Sequence, residues 1–187
     1  MRTVKVFDTE RLVLRRMRAE DAAFVLNLLN DPSWLKFIGD KGVRTLDDAK
    51  RYVVEGPLRM YSRFGFGLWL VELKADGSPI GICGLIKRAS LEDVDLGFAF
   101  LPEFRRNGYA LEAASATVRY GRQSLGLERI IAITAPENHG SCRLLEKLGF
   151  SLEGTIRLTD ASPEVRLYAS DSTAARCSSS TKPFLSR

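Results

Sequence analysis

The sequence has few of the residues that build disulfide frameworks, metal centres and histidine-dependent active sites. It contains three cysteines and one histidine in 187 residues. The odd number and wide scatter of Cys83, Cys142 and Cys177 predict reduced thiols rather than disulfide bonds. No Cys/His cluster has the spacing of a zinc site, so the sequence predicts no metal centre. A Ser-His-Asp triad would have to use His139, whose place in a helix-start loop is typical of an exposed side chain.

Long apolar runs are also missing. No stretch approaches the ~20 apolar residues that are needed to span a bilayer. The N-terminus, Met1 to Lys5, lacks the apolar core of a signal peptide. These absences predict a cytoplasmic protein that does not use a membrane. A hydrophobic content of 45% and a charged content of 27% are ordinary for a globular protein, and the length suits one domain with a good core.

Positively charged residues only slightly outnumber negatively charged ones. The formal net charge is +5, which is not by itself the footprint of a nucleic-acid-binding protein. An RNA-associated function rests only on this charge and on the C-terminal tail, and it would predict RNA binding that depends steeply on salt. A polyanionic small molecule is enough to account for a local basic patch.

The C-terminal stretch differs from the rest of the chain. Residues 170–187 are rich in serine and threonine and contain few large apolar residues. Such a composition buries too little apolar surface to offset the entropy of ordering the chain. We therefore predict one domain over residues 1–169, followed by a mobile extension over 170–187.

Helical and strand patterns alternate along the domain. Strand patterns cover 10–16, 66–74, 79–87, 96–101, 129–135, 152–158 and 164–168. Helical patterns cover 21–30, 46–61 with an interruption near Gly56-Pro57, 111–123 and 140–148. The segment from Trp34 to Gly42 is predicted as a loop. The order βααβββαβα, followed by two more strands, predicts an α/β (α+β) fold with about six to seven strands and about four helices.

A basic glycine loop connects the strand at 96–101 to the helix at 111–123. A helix N-terminus exposes unpaired N–H groups and a partial positive charge, so it favours anions. Gly108 lets a phosphate approach the main chain, and Ala110 leaves room at the first helical turn. The predicted pyrophosphate site consists of Arg105, Arg106, Asn107, Gly108, Tyr109 and Ala110.

This loop and its surroundings resemble the GNAT acetyltransferases. Arg105, Gly108 and Ala110 match the family signature Q/R-x-x-G-x-G/A. Residues 108–113, the Asn138-x-x-Ser141 motif and the following Gly149-Phe150 pair resemble the RimJ/RimL branch, which acetylates the N-termini of ribosomal proteins. The similarity extends from about residue 9 to residue 168.

The resemblance implies a single domain with a mixed central sheet and acetyl-CoA as the acetyl donor co-substrate. Two neighbouring parallel strands, at 96–101 and 129–135, are expected to splay apart. The main chain of Phe98, Phe100 and Leu101 would then bond the pantetheine arm. An N–H near Phe100 would be an oxyanion donor, whose loss typically costs ~2.7–4 kcal/mol.

The resemblance also implies the residues that move protons. Asn138 would cap a helix and bond the pantetheine, and capping alone is the alternative. Ser141 would protonate the leaving thiolate, because the tyrosine that many GNAT enzymes use four residues later is Leu145 here. Asp160 is the predicted base for the amine. Three other acids are rivals for that role: Asp93, Asp95 and Glu112.

The predicted function is direct acetyl transfer from acetyl-CoA to a primary amine, most specifically a protein N-terminal α-amine. An α-amine has a pKa of ~7.7–8.0 and a lysine ~10.4, so the lack of an evident strong base favours the α-amine. Acetylation of a small-molecule amine (amino acid, polyamine or antibiotic) and a non-catalytic acyl-CoA sensor are the alternatives. In acetyltransferases of this shape the segment at 34–42 lines the acceptor cleft, but it could equally seal the core. We expect a monomer or homodimer that binds no nucleic acid.

Overall fold

The computed structural model describes residues 4–171 as one mixed sheet with helices on both faces. The strands are β1 (Lys5–Asp8), β2 (Leu12–Arg15), β3 (Leu68–Leu73), β4 (Pro79–Ile86), β5 (Val94–Phe100), β6 (Arg129–Thr134), β7 (Ser151–Ile156) and β8 (Val165–Asp171). The α-helices are α1 (Ala22–Leu29), α2 (Pro32–Phe37), α3 (Leu46–Val53), α4 (Arg59–Phe64), α5 (Tyr109–Leu125) and α6 (His139–Lys147). The predicted α/β fold with a mixed sheet is confirmed.

The eight strands are ordered β1-β2-β3-β4-β5-β6-β8-β7. Every neighbouring pair is antiparallel except β5 and β6, which run parallel. Within residues 4–171, the direction of strand pairing therefore changes from antiparallel to parallel at one place, between β5 and β6.

The two faces of the sheet carry separate cores. Trp69 and Val71 of β3 pack in the cluster that contains Ala113 of α5. Leu70, which lies between them, packs in the cluster that contains Val25 of α1. This alternation follows from the two-residue period of a strand, and it places α5 opposite α1 and α3.

Two elements were missed by the sequence analysis. The segment from Trp34 to Gly42 was predicted as a loop, but its first four residues belong to helix α2, which begins at Pro32. Asp31 caps this helix by accepting from the N–H groups of Ser33 and Trp34, and Pro32 lies at its first position. An Asp-Pro pair thus ends one helix and starts the next. The additional strand, β1, has only four residues and pairs at the edge of the sheet.

The predicted interruption near Gly56-Pro57 is confirmed. A π-helical turn spans Val54–Leu58 and joins α3 to α4. Pro57 lacks the N–H that an α-helix would need there, and a π-helical turn accommodates that loss.

The predicted domain boundary lies two residues inside a strand. Ser170 and Asp171 are the last residues of β8 and pair with Ile130 and Arg129. The rest of the predicted extension, including Cys177, lies outside the described residues. Within residues 4–171, the cysteines are free and buried, and no helix there is long and apolar enough to cross a membrane.

Candidate active site

A gap opens between the two parallel strands. β5 and β6 pair only at Val94 with Ile130 and at Asp95 with Ile131. Beyond this point β5 stays paired with β4 up to Phe100, and β6 stays paired with β8 up to Thr134. The predicted splay is confirmed, and its apex lies at Asp95.

The main chain of β5 supplies polar groups to this gap. The N–H of Leu101 donates to the carbonyl of Ile80 on the β4 side, at 3.0 Å. Because successive residues of a strand direct their N–H and C=O groups to opposite edges, Phe98 and Phe100 direct theirs toward β6. Unpaired main-chain groups are costly, so the groups of Phe98 and the N–H of Phe100 require a partner.

The basic loop leads from β5 to the N-terminus of α5. Arg106 has φ +65°, a left-handed conformation that residues other than glycine rarely adopt. Gly108 follows with φ +82° and precedes the first residue of α5. Arg106, Asn107 and Gly108 are exposed. The first N–H groups of α5 therefore face an open surface beside the gap.

The Arg105 side chain is bound by other residues of the protein and is not free to bind a phosphate. Its Nε donates to the carbonyl of Phe100 at 2.8 Å, and its Nη1 donates to Ser33 Oγ at 2.8 Å. Its Nη2 lies 2.6 Å from Asp31 Oδ1. Burial raises the pKa of Asp31, but the hydrogen bond from Arg105 outweighs it and holds that pKa below its ordinary value. Arg105 thus ties the loop to α2 and leaves the N–H of Phe100 available.

Arg11 is a residue of the site that the sequence analysis missed. Its Nη1 donates to the carbonyl of Asn107 at 3.0 Å, and its Nε lies 2.7 Å from Glu112 Oε2. Its guanidinium carbon lies 4.5 Å from the centre of the Tyr109 ring. A β-carbon added to Gly108 would lie 3.2 Å from Arg11 Nη2. Arg11 is exposed and holds the loop through the carbonyl of Asn107 and the ring of Tyr109.

Glu112, a rival for the catalytic base, is occupied by these contacts. Thr9 Oγ1 donates to its Oε1 at 2.5 Å, and the N–H of Arg11 donates to the same oxygen at 2.8 Å. Burial raises the pKa of Glu112, but these hydrogen bonds outweigh it and keep the pKa below its ordinary value. The pairing also neutralises a negative charge that would repel a phosphate at the first turn of α5.

Asn138 and Ser141 lie at the start of α6, after the C-terminal end of β6. Asn138 Oδ1 accepts from the N–H of Ser141 at 3.1 Å, so the predicted cap is present. Ser141 is half-buried, and within residues 4–171 its hydroxyl forms no hydrogen bond. Because β5 and β6 run parallel, the basic loop and the start of α6 lie at the same end of the gap.

The remaining predicted acids lie in different surroundings. Asp160 is exposed in the connection between β7 and β8. Asp93 pairs with Arg129 Nε at 3.0 Å, and Arg129 also pairs with Glu153 and Asp171. Asp93 therefore belongs to an ionic network at the sheet rather than to the gap.

Asp95 is the most perturbed carboxyl group near the gap. Its side chain is 1% exposed, and its Oδ2 lies 2.6 Å from Arg88 Nε. Its Oδ1 is buried without a hydrogen-bond partner in the described part of the chain. Burial raises the pKa of Asp95 to about 6 against the lowering effect of Arg88. An ionisable group with such a shift beside a gap is a candidate for proton transfer.

The arrangement fits a ligand with a diphosphate at one end and amides along an arm. The open helix N-terminus and the glycine without a β-carbon suit the diphosphate. The main-chain groups of Phe98 and Phe100 suit the amides, and the N–H of Phe100 suits a carbonyl oxygen that gains charge. Within residues 4–171, no group of three or more metal-binding side chains was found.

Comparisons with known proteins give the same interpretation. Residues 11–151 match the family described as acetyltransferase (GNAT) domain. The Bacillus subtilis (strain 168) uncharacterized N-acetyltransferase YnaD is 33% identical over 149 residues, which cover 80% of this chain and 84% of that protein. The Escherichia coli (strain K12) [ribosomal protein uS5]-alanine N-acetyltransferase is 33% identical over 95 residues, which cover 50% of this chain and 47% of that protein.

A solved structure of RimL, a ribosomal L7/L12 alpha-N-protein acetyltransferase in complex with coenzyme A, has the same fold. It superposes with a TM-score of 0.76 over 91% of this chain and 98% of that one, at 16% identity. At this identity the likeness concerns the fold, including the mixed sheet in which the gap lies.

Proposed function

The chain belongs to the GNAT acetyltransferase family and is an N-acetyltransferase, and we propose that it transfers acetyl from acetyl-CoA to the α-amine of a protein N-terminus. GNAT acetyltransferases use acetyl-CoA as the donor. The observation that carries the proposal is the gap between β5 and β6 with the open N-terminus of α5 at its end. The two features together suit a diphosphate and an arm that leads inward.

The step needs three contributions from this chain. The amine nitrogen forms a bond to the acetyl carbonyl carbon, and the bond from that carbon to sulfur breaks. The N–H of Phe100 stabilises the charge that develops on the carbonyl oxygen. Ser141 gives a proton to the departing sulfur and regains one from water, while a carboxylate takes a proton from the amine and later releases it to water. The rest of the rate comes from holding both reactants in position.

Two carboxylates are candidates to take the amine proton. Asp160 has the position that the RimL resemblance implies, on an exposed connection that an acceptor can reach. Asp95 is buried at the apex of the gap, and its pKa of about 6 leaves it mainly ionised at pH 7. We propose Asp160 first. Asp95 is preferred if Asp160→Asn leaves kcat unchanged while Asp95→Asn lowers it.

An α-amine acceptor is supported by the weakness of the available bases. At pH 7 roughly a tenth of such amines is already neutral, whereas a lysine side chain needs a stronger base. The uS5-alanine N-acetyltransferase that resembles half of this chain acts, by its name, on an N-terminal amine of a ribosomal protein. This chain would act on the same class of amine.

The test is thiol release from acetyl-CoA with matched peptides. One peptide has a free N-terminus and no lysine, and the other has a blocked N-terminus and one lysine. We expect turnover of the first alone, with the acetyl group located on the α-amine by mass spectrometry. Turnover of the lysine peptide alone, or only of small amines such as polyamines, would refute the N-terminal acceptor.

A further inference from the structure

A second cavity lies next to the apex of the gap. It has a volume of about 640 Å³ and is lined by the π-helical turn, α4 and the hairpin between β4 and β5. Its charged lining residues are Glu55, Arg59, Arg63, Lys87, Arg88 and Glu92. Four cations and two carboxylates give this wall an excess of positive charge.

Two of the four cations are already used by the protein. Arg88 reaches from the wall to Asp95 at the apex, with 2.6 Å between Nε and Oδ2. Lys87 Nζ donates to the carbonyls of Leu91 and Glu92, which closes the hairpin. The charged groups of Arg88 and Lys87 are therefore already bound by other groups of the protein.

Arg59 and Arg63 are exposed, and neither forms a salt bridge with an acidic residue among residues 4–171. They lie one turn apart on α4, so their side chains share one face of the helix. The ring of Phe64 lies 5.0 Å from the Arg63 guanidinium carbon, which leaves the N–H groups of Arg63 free to donate. Two arginines on one wall of a half-enclosed cavity are suited to a carboxylate.

Arg88 also connects this cavity to the reaction site. Asp95 and Ile86 are opposite each other in the β4–β5 ladder, so Asp95 and Arg88, two residues after Ile86, lie on the same face of the sheet. That face carries α1 and α3, opposite α5 and the basic loop. An acceptor in the cavity would thus approach the gap from the side away from the donor's diphosphate.

We propose that this cavity binds a carboxylate of the acceptor, through Arg59 and Arg63, while the acceptor amine lies in the gap. The inference rests on the proposed function and names its substrate class: N-termini with an acidic residue a few positions from the amine. Along β5, Asp95 and Phe98 are ~10 Å apart at ~3.3 Å per residue. An extended acceptor covers that distance in about three residues, so the acid is expected at position three or four.

The experiment compares pairs of peptides that differ only in whether one side chain is a carboxylate or an amide. Each pair has the same sequence with Asp or Asn at position three or four, and kcat/KM is measured at low and high salt. We expect the acidic peptide to be preferred about tenfold, which equals about 1.4 kcal/mol. The preference should fall toward unity in Arg59→Gln/Arg63→Gln and at high salt. Arg119→Gln, which removes a charge from an exposed position on α5, is the control and should keep the preference.

Failure of this inference and failure of the proposed function give different results. Equal turnover of both peptides, or a preference that survives in the double variant, overturns the carboxylate site and leaves the N-terminal acceptor intact. If no peptide is acetylated, the proposed function fails, and the same variants are tested on small amines with and without a carboxylate. An arginine-dependent preference there supports the site for a free amino acid, and its absence overturns it.

Discussion

Gly108→Ala tests whether the open N-terminus of α5 binds the donor. Gly108 has φ +82°, and a β-carbon there would lie 3.2 Å from Arg11 Nη2. The left-handed backbone costs a residue with a side chain roughly 1–2 kcal/mol. The methyl group also meets Nη2 of Arg11, so that side chain has to give by a few tenths of an ångström. This movement disturbs its hydrogen bond to the carbonyl of Asn107 and, with it, the positions of the N–H groups in the loop.

The expected loss of affinity follows from one displaced hydrogen bond. A hydrogen bond to a charged group contributes about 1.5–3 kcal/mol, and its loss weakens binding roughly 10–100-fold. Isothermal titration of coenzyme A measures this change. Pantetheine, which has no diphosphate, should bind Gly108→Ala and the unmodified protein equally well.

Gly126→Ala is the matched control for backbone strain. Gly126 ends the same helix with φ +68°, and no atom lies within 4 Å of the position of an added β-carbon. Both variants should lose about 1–2 kcal/mol of unfolding free energy, or roughly 2–8 °C in Tm. Only Gly108→Ala should bind coenzyme A more weakly. Equal affinities of the two variants would refute the assignment of the loop to the diphosphate.

Three further predictions concern Arg105 and Ser141 near the gap and the buried ion pair between Arg15 and Asp21. Arg105→Gln removes the guanidinium that bonds Asp31 and the carbonyl of Phe100, so urea unfolding should show a loss of about 1–3 kcal/mol. An unchanged urea midpoint would show that these contacts of Arg105 do not stabilise the fold. Ser141→Ala should lower kcat about 10²-fold with little change in KM for acetyl-CoA, and an unchanged kcat would exclude Ser141 as the acid. Asp21→Asn should cost about 1.5–3 kcal/mol, because the Arg15 side chain, which is 5% exposed, loses its charged partner at 2.8 Å but keeps Glu72 at 2.7 Å. Burial raises the pKa of Asp21, but the hydrogen bonds from Arg15 and Arg18 outweigh it and keep the pKa below its ordinary value. The stabilising effect is therefore present above the unfolded-state pKa of ~3.9 and is lost as the pH falls through the lower folded-state pKa. Acid unfolding of the unmodified protein between pH 5 and pH 2 should be steeper than that of Asp21→Asn.

Local patterns were sufficient to predict most of the fold. Alternating apolar residues predicted β2, and two strand-like runs joined by a turn predicted β3 and β4. Helical spacing predicted α1, and Ala-rich helical sequence predicted α5. Strand β1 was missed because its sequence, KVFD, has two adjacent apolar residues and no alternation. Helix α2 was missed because its six residues span fewer than two helical turns. At Asp31-Pro32 the sequence indicated a helix end correctly, but the same pair also starts α2.

The site was predictable only where it is contiguous in sequence. The loop at 105–110 and the cap by Asn138 are local features, and the structure places them at one end of the gap. Arg11 was missed because its contacts with Asn107 and Glu112 join residues about a hundred positions apart. The same holds for Arg105, whose partners Ser33 and Asp31 follow from tertiary packing. The spacing of residues within a single segment does not predict contacts between segments that are far apart in the sequence.

The gap also divides the sheet mechanically. Five strands, β1 to β5, lie on one side of it and three, β6 to β8, on the other, joined directly at two residue pairs. Gly121 of α5 bridges the halves, because its β-carbon position is 3.0 Å from Ile130 of β6 and 3.2 Å from Leu85 of β4. The two halves are therefore held together by those two residue pairs and by a helix that packs against both. A donor molecule bound between the two halves would contact both of them, so its binding should raise the free energy of unfolding of the whole protein.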